Sequence, residues 1–203
     1  MSKSVTAYYK YETNFEDVEN PLHKAGEVQV ESASFTVSEP TEIVTVEPII
    51  YKYATDEQKT ILEKEFGIGK FEIITQKLER IFIDKLFAAE LYFEKSEYVG
   101  LSKHLYDITI LMGQDRIKKF IENKAELNQI IGYKRTEETF RYGGVAEAIA
   151  IKDFGYFNME FTEEVEKAFK SMQDKYIYND EYIIGIEQAK ETLKTIKKKV
   201  SEM

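Results

Sequence analysis

The spacing of apolar residues changes once along this chain, near Gln76, and that change limits the folds open to it. Upstream the pattern steps by two. Ala7-Tyr8-Tyr9-Lys10-Tyr11 and Glu27-Val28-Gln29-Val30-Glu31-Ser32-Ala33-Ser34-Phe35 alternate apolar with polar, and Ile43-Val44-Thr45-Val46 is β-branched. These compositions suit half-covered strands. Thr55-Asp56-Glu57-Gln58 has the form of a capping box and opens a helix to about Phe66, which Gly67 and Gly69 end. Phe71-Glu72-Ile73-Ile74-Thr75 is a last short strand. Downstream the signals are almost wholly helical, over 77–94, 102–112, 114–131, a vaguer piece at 144–152, then 162–175 and 181–201. Asn14–Asn20 with Pro21 and Ser38-Glu39-Pro40 read as loops, and Gly143-Gly144 reads as a turn. The expectation is an α+β chain, with a small sheet over 1–76 and a helical bundle over 77–203.

The last helix has the sharpest period. Tyr182, Ile186, Ala189, Leu193, Ile196 and Val200 step alternately by four and three. So narrow a seam over fewer than three heptads suits a bundle helix inside one chain better than a coiled-coil dimer. The Lys197-Lys198-Lys199 run near its end complements the negative pole of the helix dipole and needs no ligand.

Charge and composition exclude several chemistries. The net charge is -9, with acids concentrated in the first third, and phosphate-backbone binding needs clustered Lys or Arg instead. This leaves room for a local basic site. There are no cysteines, which removes disulfides, thiolate metal sites and cysteine nucleophiles. That absence fits a reducing cytoplasm. No signal-peptide core or bilayer-length apolar run occurs, so no membrane role is expected.

Two helical stretches place a charge where the pattern calls for an apolar residue. In Leu78-Glu79-Arg80-Ile81-Phe82-Ile83-Asp84-Lys85-Leu86-Phe87-Ala88, Lys85 has Ile81, Phe82, Ala88 and Ala89 as its helical neighbours. Its ammonium must snorkel, find a carboxylate or meet an anionic ligand, because burying it unpaired is costly. In Ser102-Lys103-His104-Leu105-Tyr106-Asp107, Asp107 sits between Lys103 and His104 one turn before and Ile110 and Leu111 one turn after. It can pair with those neighbours, hold Lys85, bind a metal or act as a base. His104 can be an acid, a phosphate donor or a packed side chain. Glu31 projects from its strand opposite to Val28 and Val30, with Gln29 and Ala33. A strand carboxylate there is either a metal ligand or an ordinary exposed acid. Lys85 and Asp107 are therefore expected either to form a salt bridge or to share a phosphate-handling cleft.

Other signals fail on inspection. Gly67-Ile68-Gly69-Lys70 is followed by Phe71 rather than Ser or Thr, has Lys64 where the first glycine of a phosphate loop belongs, and leads into a strand. It is a helix stop. No Gly-x-Ser-x-Gly, His-Glu-x-x-His or EF-hand loop is present.

The two charged stretches together resemble the nucleotidyltransferase-like AbiEii/AbiGii toxin family. Its members carry a Glu/Asp-Lys-Leu/Val helix followed by an Arg-His-x-Tyr-Asp helix. The similarity extends to Glu47-Pro48-Ile49-Ile50-Tyr51, Phe71-Glu72-Ile73 and Met172-Gln173-Asp174-Lys175-Tyr176-Ile177-Tyr178. The resemblance implies a DNA-polymerase-β-like nucleotidyltransferase fold, of which 1–76 would be a partial sheet. It also implies a toxin of a phage-defence toxin–antitoxin system that uses a nucleoside triphosphate and Mg²⁺, some members modifying tRNA. On that reading Lys85 matches the lysine on the triphosphate and Asp107 the downstream aspartate, with Lys103 and His104 beside them; Glu31, read from its strand and not from the family, is the candidate metal carboxylate.

Two features depart from the family pattern. Lys103 stands where arginine is usual, which removes a bidentate phosphate contact. The N-terminal Gly-Gly-Ser/Thr loop and the Asp-x-Asp/Glu metal motif have no counterpart, and Glu16-Asp17 lies in a loop. The chain thus resembles the C-terminal two-thirds of a family member. It is expected to be inactive alone and to cover an exposed sheet by self-association; the alternative is a non-enzymatic module that binds an antitoxin, another subunit or RNA.

Overall fold

Antiparallel pairing joins the early strands into two separate ladders rather than one sheet. A computed structural model describes residues 4–13, 26–33, 39–140, 145 and 149–202. The strands β1 (Ser4–Lys10) and β2 (Glu27–Ala33) pair with Ala7 opposite Val30 and Tyr9 opposite Val28. A second ladder joins β3 (Thr41–Val46) to β4 (Phe71–Gln76), with Ile43 opposite Ile74 and Val44 opposite Ile73.

Between β3 and β4 lie α1 (Ile49–Lys52) and α2 (Asp56–Phe66). The Thr55 hydroxyl accepts from the Gln58 amide at 3.3 Å, and the Gln58 side chain accepts from the Thr55 amide at 2.9 Å. This closes the expected capping box. Gly67 ends α2 in the left-handed region (φ 63°), where a Cβ would be strained.

The helical part comprises α3 (Leu78–Glu94), α4 (Tyr98–Gly113), α5 (Asp115–Glu122), α6 (Lys124–Phe140), α7 (Glu163–Tyr176) and α8 (Ile186–Ser201). Short 3-10 turns at Ile151–Asp153, Gly155–Asn158 and Asp180–Tyr182 connect α6, α7 and α8. α3 is the central helix, packed against α4, α5 and α6. Phe82, Ile83, Leu86 and Phe87 of α3 meet Leu101, Leu105 and Ile108 of α4, Phe120 of α5 and Leu127 of α6 in one core.

Several boundaries differ from expectation. α4 starts at Tyr98, a turn before 102, because helical backbone bonds reach back to Glu97. The stretch 114–131 is two helices that break at Asn123, whose side-chain amide caps into Glu126. The second continues to Phe140. The last helix starts at Ile186 rather than 181, and Tyr182 leaves the seam for an exposed turn. Ala189, Leu193, Ile196 and Val200 form the buried seam. Of the piece at 144–152, only 151–153 is seen, as a 3-10 turn; 144 and 146–148 lie outside the described residues. So do the loop 14–20 with Pro21, Ser34-Phe35 at the end of the second strand, Ser38 and Gly143-Gly144.

The core is unevenly distributed. Among the described side chains, none before Glu79 is buried. Every buried hydrophobic residue lies from Phe82 onward.

Candidate functional site

Helix α3 turns two adjacent charges in different directions, as its roughly 100° step per residue requires. Asp84 faces α6, and Lys85 faces α4. The Lys85 Nζ lies 2.6 Å from Asp107 Oδ2 on α4, and both side chains are about one-third exposed. The two apolar stripes thus meet with their charged interruptions opposed, at the margin of the core rather than within it.

A glycine makes that approach close. A Cβ on Gly100 of α4 would fall 2.2 Å from the ring of Tyr92 on α3. His104, one turn further along α4, packs against the same Tyr92 ring with centroids 5.1 Å apart. Ser102 and Thr109, buried on α4, bond back to the carbonyls of Tyr98 and Leu105 at 2.7 Å each. Their hydroxyls therefore leave no unmet donor in the interface.

The local electrostatics keep His104 neutral. Burial lowers its pKa to about 4, with Lys85 adding to the effect and Asp107 opposing it. Its Nδ1 is buried without a hydrogen-bond partner among the described residues. Lys103 extends over the ring of Tyr176 on α7, 4.4 Å from its centroid. Tyr106, next to Asp107, donates to the Tyr182 carbonyl at 2.9 Å and ties α4 to the turn before α8.

Behind this pair stands a charged cluster that the sequence reading missed. Arg80, fully buried, donates to Asp84 at 3.0 Å, to Glu137 at 2.5 Å and to the Glu39 carbonyl at 3.3 Å. Lys134 approaches Asp84 at 3.4 Å, Glu137 at 2.7 Å and Glu138 at 2.8 Å. Burial pushes the Asp84 carboxyl above its ordinary range despite both cations. Burial works against the Lys134 charge, yet the three carboxylates hold its pKa above the usual value. The available signals were the i, i+4 spacing of Arg80 and Asp84 and the Lys134-x-x-Glu137-Glu138 run. Nothing local says that the two sets meet.

A third set of charges fixes the β3–β4 ladder to the helices. Arg116 of α5 grips Glu79 with two bonds of 2.5 and 2.6 Å and reaches Glu42 of β3 at 3.0 Å. Burial would raise the Glu79 carboxyl, but the guanidinium holds it below its usual value. The Lys77 amide donates to the Pro40 carbonyl at 2.9 Å at the same junction.

Of the residues singled out in the sequence, the fold brings Lys85, His104 and Asp107 together, with Lys103 drawn toward Tyr176. Glu31 lies elsewhere, on the β1–β2 ladder opposite Thr6, and is exposed. No group of three or more His, Asp or Glu side chains that could hold a metal occurs among the described residues. The described side chains therefore do not fit a two-metal centre. No helix among the described residues is long and apolar enough to cross a membrane.

Small antiparallel ladders followed by a helical bundle, with a lysine–aspartate pair at a helix–helix margin, define an α+β protein. The profile described as "Nucleotidyl transferase AbiEii toxin, Type IV TA system" matches residues 3–195, and the chain belongs to that nucleotidyltransferase-like toxin family. No curated protein and no solved structure matches it. Membership implies an antitoxin partner and a family chemistry that uses a nucleoside triphosphate and Mg²⁺.

Proposed function

We propose that the α3–α4 margin binds the triphosphate of a nucleotide through Lys85, and that this chain alone does not complete metal-dependent nucleotidyl transfer. The observation that carries the binding reading is the Lys85–Asp107 pair, held at 2.6 Å yet open to solvent. An ammonium has three donors, so Lys85 can keep one on Asp107 while offering others to phosphate oxygens. Asp107 holds the lysine in place before a ligand arrives. It can also accept a proton from an attacking hydroxyl. His104 is neutral at pH 7. It can serve as a hydrogen-bonding imidazole but adds no positive charge. Lys103 supplies a second cation one turn away.

The expectation of inactivity rests on the metal. In phosphoryl transfer, carboxylate-held ions neutralise developing charge, and losing them costs several kcal/mol of barrier. Glu31 is the strand carboxylate the sequence nominates as a ligand, and tRNA is the acceptor to test. The experiment has two arms. Titration with a fluorescent triphosphate should show binding that Lys85→Ala weakens by roughly tenfold, the worth of one charge-assisted hydrogen bond. Unchanged binding in that variant would remove Lys85 from the site. Labelled triphosphates with total tRNA, with and without Mg²⁺, should give no transfer. Mg²⁺-dependent labelling lost in Lys85→Ala would overturn the inactivity and make Glu31 and Asp107 the first ligands to test.

A second reading is a non-enzymatic interaction module. It is favoured by the early ladders, which contribute nothing to the buried core.

A further inference from the structure

The β3–β4 ladder leaves large apolar side chains exposed. In an antiparallel pair, directly opposed residues share a face. Ile43 and Ile74 form a pair on one face, 66% and 75% exposed. Val44 with Ile73 and Val46 with Phe71 form pairs on the other, and Val44, Ile73 and Phe71 are exposed as well. Ile43 and Ile74 sit between the polar pairs Thr41–Gln76 and Thr45–Glu72, whereas the face of Val44, Val46, Ile73 and Phe71 is largely apolar and belongs under cover. Among the described residues, β3 and β4 pair only with each other. A two-stranded ladder standing alone is marginal in water, and open apolar edges invite strand addition.

The segment between the two strands carries an apolar groove of about 480 Å³ between α1 and α2, lined by Ile49, Ile50, Tyr53, Ile61 and Leu62. Ile49 and Tyr53 are among the most exposed hydrophobic residues of the chain. Uncovered apolar surface therefore occurs both on the ladder and on the two helices inserted between its strands.

Charge selects the occupant. Residues 39–76, which form this ladder and the helices inserted between its strands, hold eight acidic and four basic residues, a net of -4. A second copy would bring an equally acidic surface against it, and like charges brought together at an interface cost several kcal/mol. Nucleic acid is repelled for the same reason. The backbone edges call for an extended polypeptide.

We infer that the β3–β4 ladder is a docking surface for a basic polypeptide that adds a strand to its edge and covers its apolar face. This does not rest on the nucleotide reading, since α3, α4 and Lys85 take no part in it. The Arg116–Glu42 and Lys77–Pro40 contacts anchor the ladder to the helical body from its far end, leaving the edges and faces available.

The test uses the full chain and two blocked peptides, one alternating lysine with valine and one alternating glutamate with valine. Backbone hydrogen exchange is read at β3 and β4. The lysine peptide should bind saturably, slow exchange in both strands at least tenfold, and weaken as salt rises. The glutamate peptide should do neither. Val44→Lys with Ile73→Lys should abolish the effect, whereas Gln29→Lys on the polar face of β1–β2 should not. Far-UV circular dichroism checks that the helical core of each variant is intact. Equal protection by both peptides would overturn the charge argument, and no protection by either would overturn the docking surface. Protection that grows with protein concentration alone, matched by a dimer mass in light scattering, would show that a second copy is the occupant and would also overturn the proposal.

Discussion

The Lys85 ammonium and the Asp107 carboxylate close a 2.6 Å bridge between α3 and α4, although both side chains remain about one-third in water. An ion pair in that setting contributes little to stability, commonly below about 1 kcal/mol, because solvent screens it and two side chains must be immobilised.

The first prediction follows from that exposure. A double-mutant cycle with Lys85→Met and Asp107→Leu, read by urea unfolding, should give a coupling below about 1 kcal/mol. Triphosphate binding should fall in the Lys85 variant while stability barely moves. A coupling of several kcal/mol would make the pair a structural bolt and weaken its assignment as a ligand site.

The neighbouring cluster should behave in the opposite way. Arg80 is fully buried and spans Asp84, Glu137 and the Glu39 carbonyl. Arg80→Met leaves buried carboxylates short of a partner, which typically costs about 3–5 kcal/mol. Urea midpoints would measure it. A loss under about 1 kcal/mol would mean that Lys134 alone satisfies the cluster.

His104 gives a pH signature. Its folded pKa of about 4 lies below the ordinary 6.5, so the folded state favours the neutral ring. The stability this contributes is fully present above pH 6.5. It is lost as pH falls toward 4, where the unfolded chain has taken up a proton that the folded chain has not. The loss is on the order of 3 kcal/mol. His104→Asn should flatten that part of the stability profile. An unchanged slope between pH 6.5 and 4 in the variant would show that other groups cause it.

Gly100 should prove to be a packing requirement rather than a flexible point. Gly100→Ala gains up to about 1 kcal/mol of helix propensity. The added methyl would meet the Tyr92 ring, however, and overpacking costs about 1–3 kcal/mol. Net destabilisation is expected, together with weaker triphosphate binding as α4 is pushed off α3. In a Tyr92→Leu background the same change should be neutral or stabilising. Destabilisation of equal size in both backgrounds would point to another cause.

Local chemistry was enough to place most elements of this chain. The Thr55–Gln58 capping box, the left-handed Gly67, the alternating strands and the helical period beyond Gln76 all depend on neighbours a few residues away. Lys85 and Asp107 were visible for a related reason, since each breaks an apolar stripe that its own helix defines. Family membership was legible from the same two motifs. What the sequence could not show was which distant side chains meet. Arg80 with Glu137, Arg116 with Glu79 and Gly100 with Tyr92 are joined only when α3 packs against α6, α5 and α4. The helix break at Asn123 was hidden by a continuous apolar pattern, because the chain turns there without changing period. Pairing into two ladders rather than one sheet was likewise a long-range outcome, as strand propensity does not name a partner. Pattern thus determined which residues are helical, extended or anomalous, whereas tertiary packing decided that Lys85 remains solvent-exposed while Arg80, one turn before Asp84, is wholly buried. The physical reason is that burial and pairing depend on what lies across the interface, and no local period encodes that.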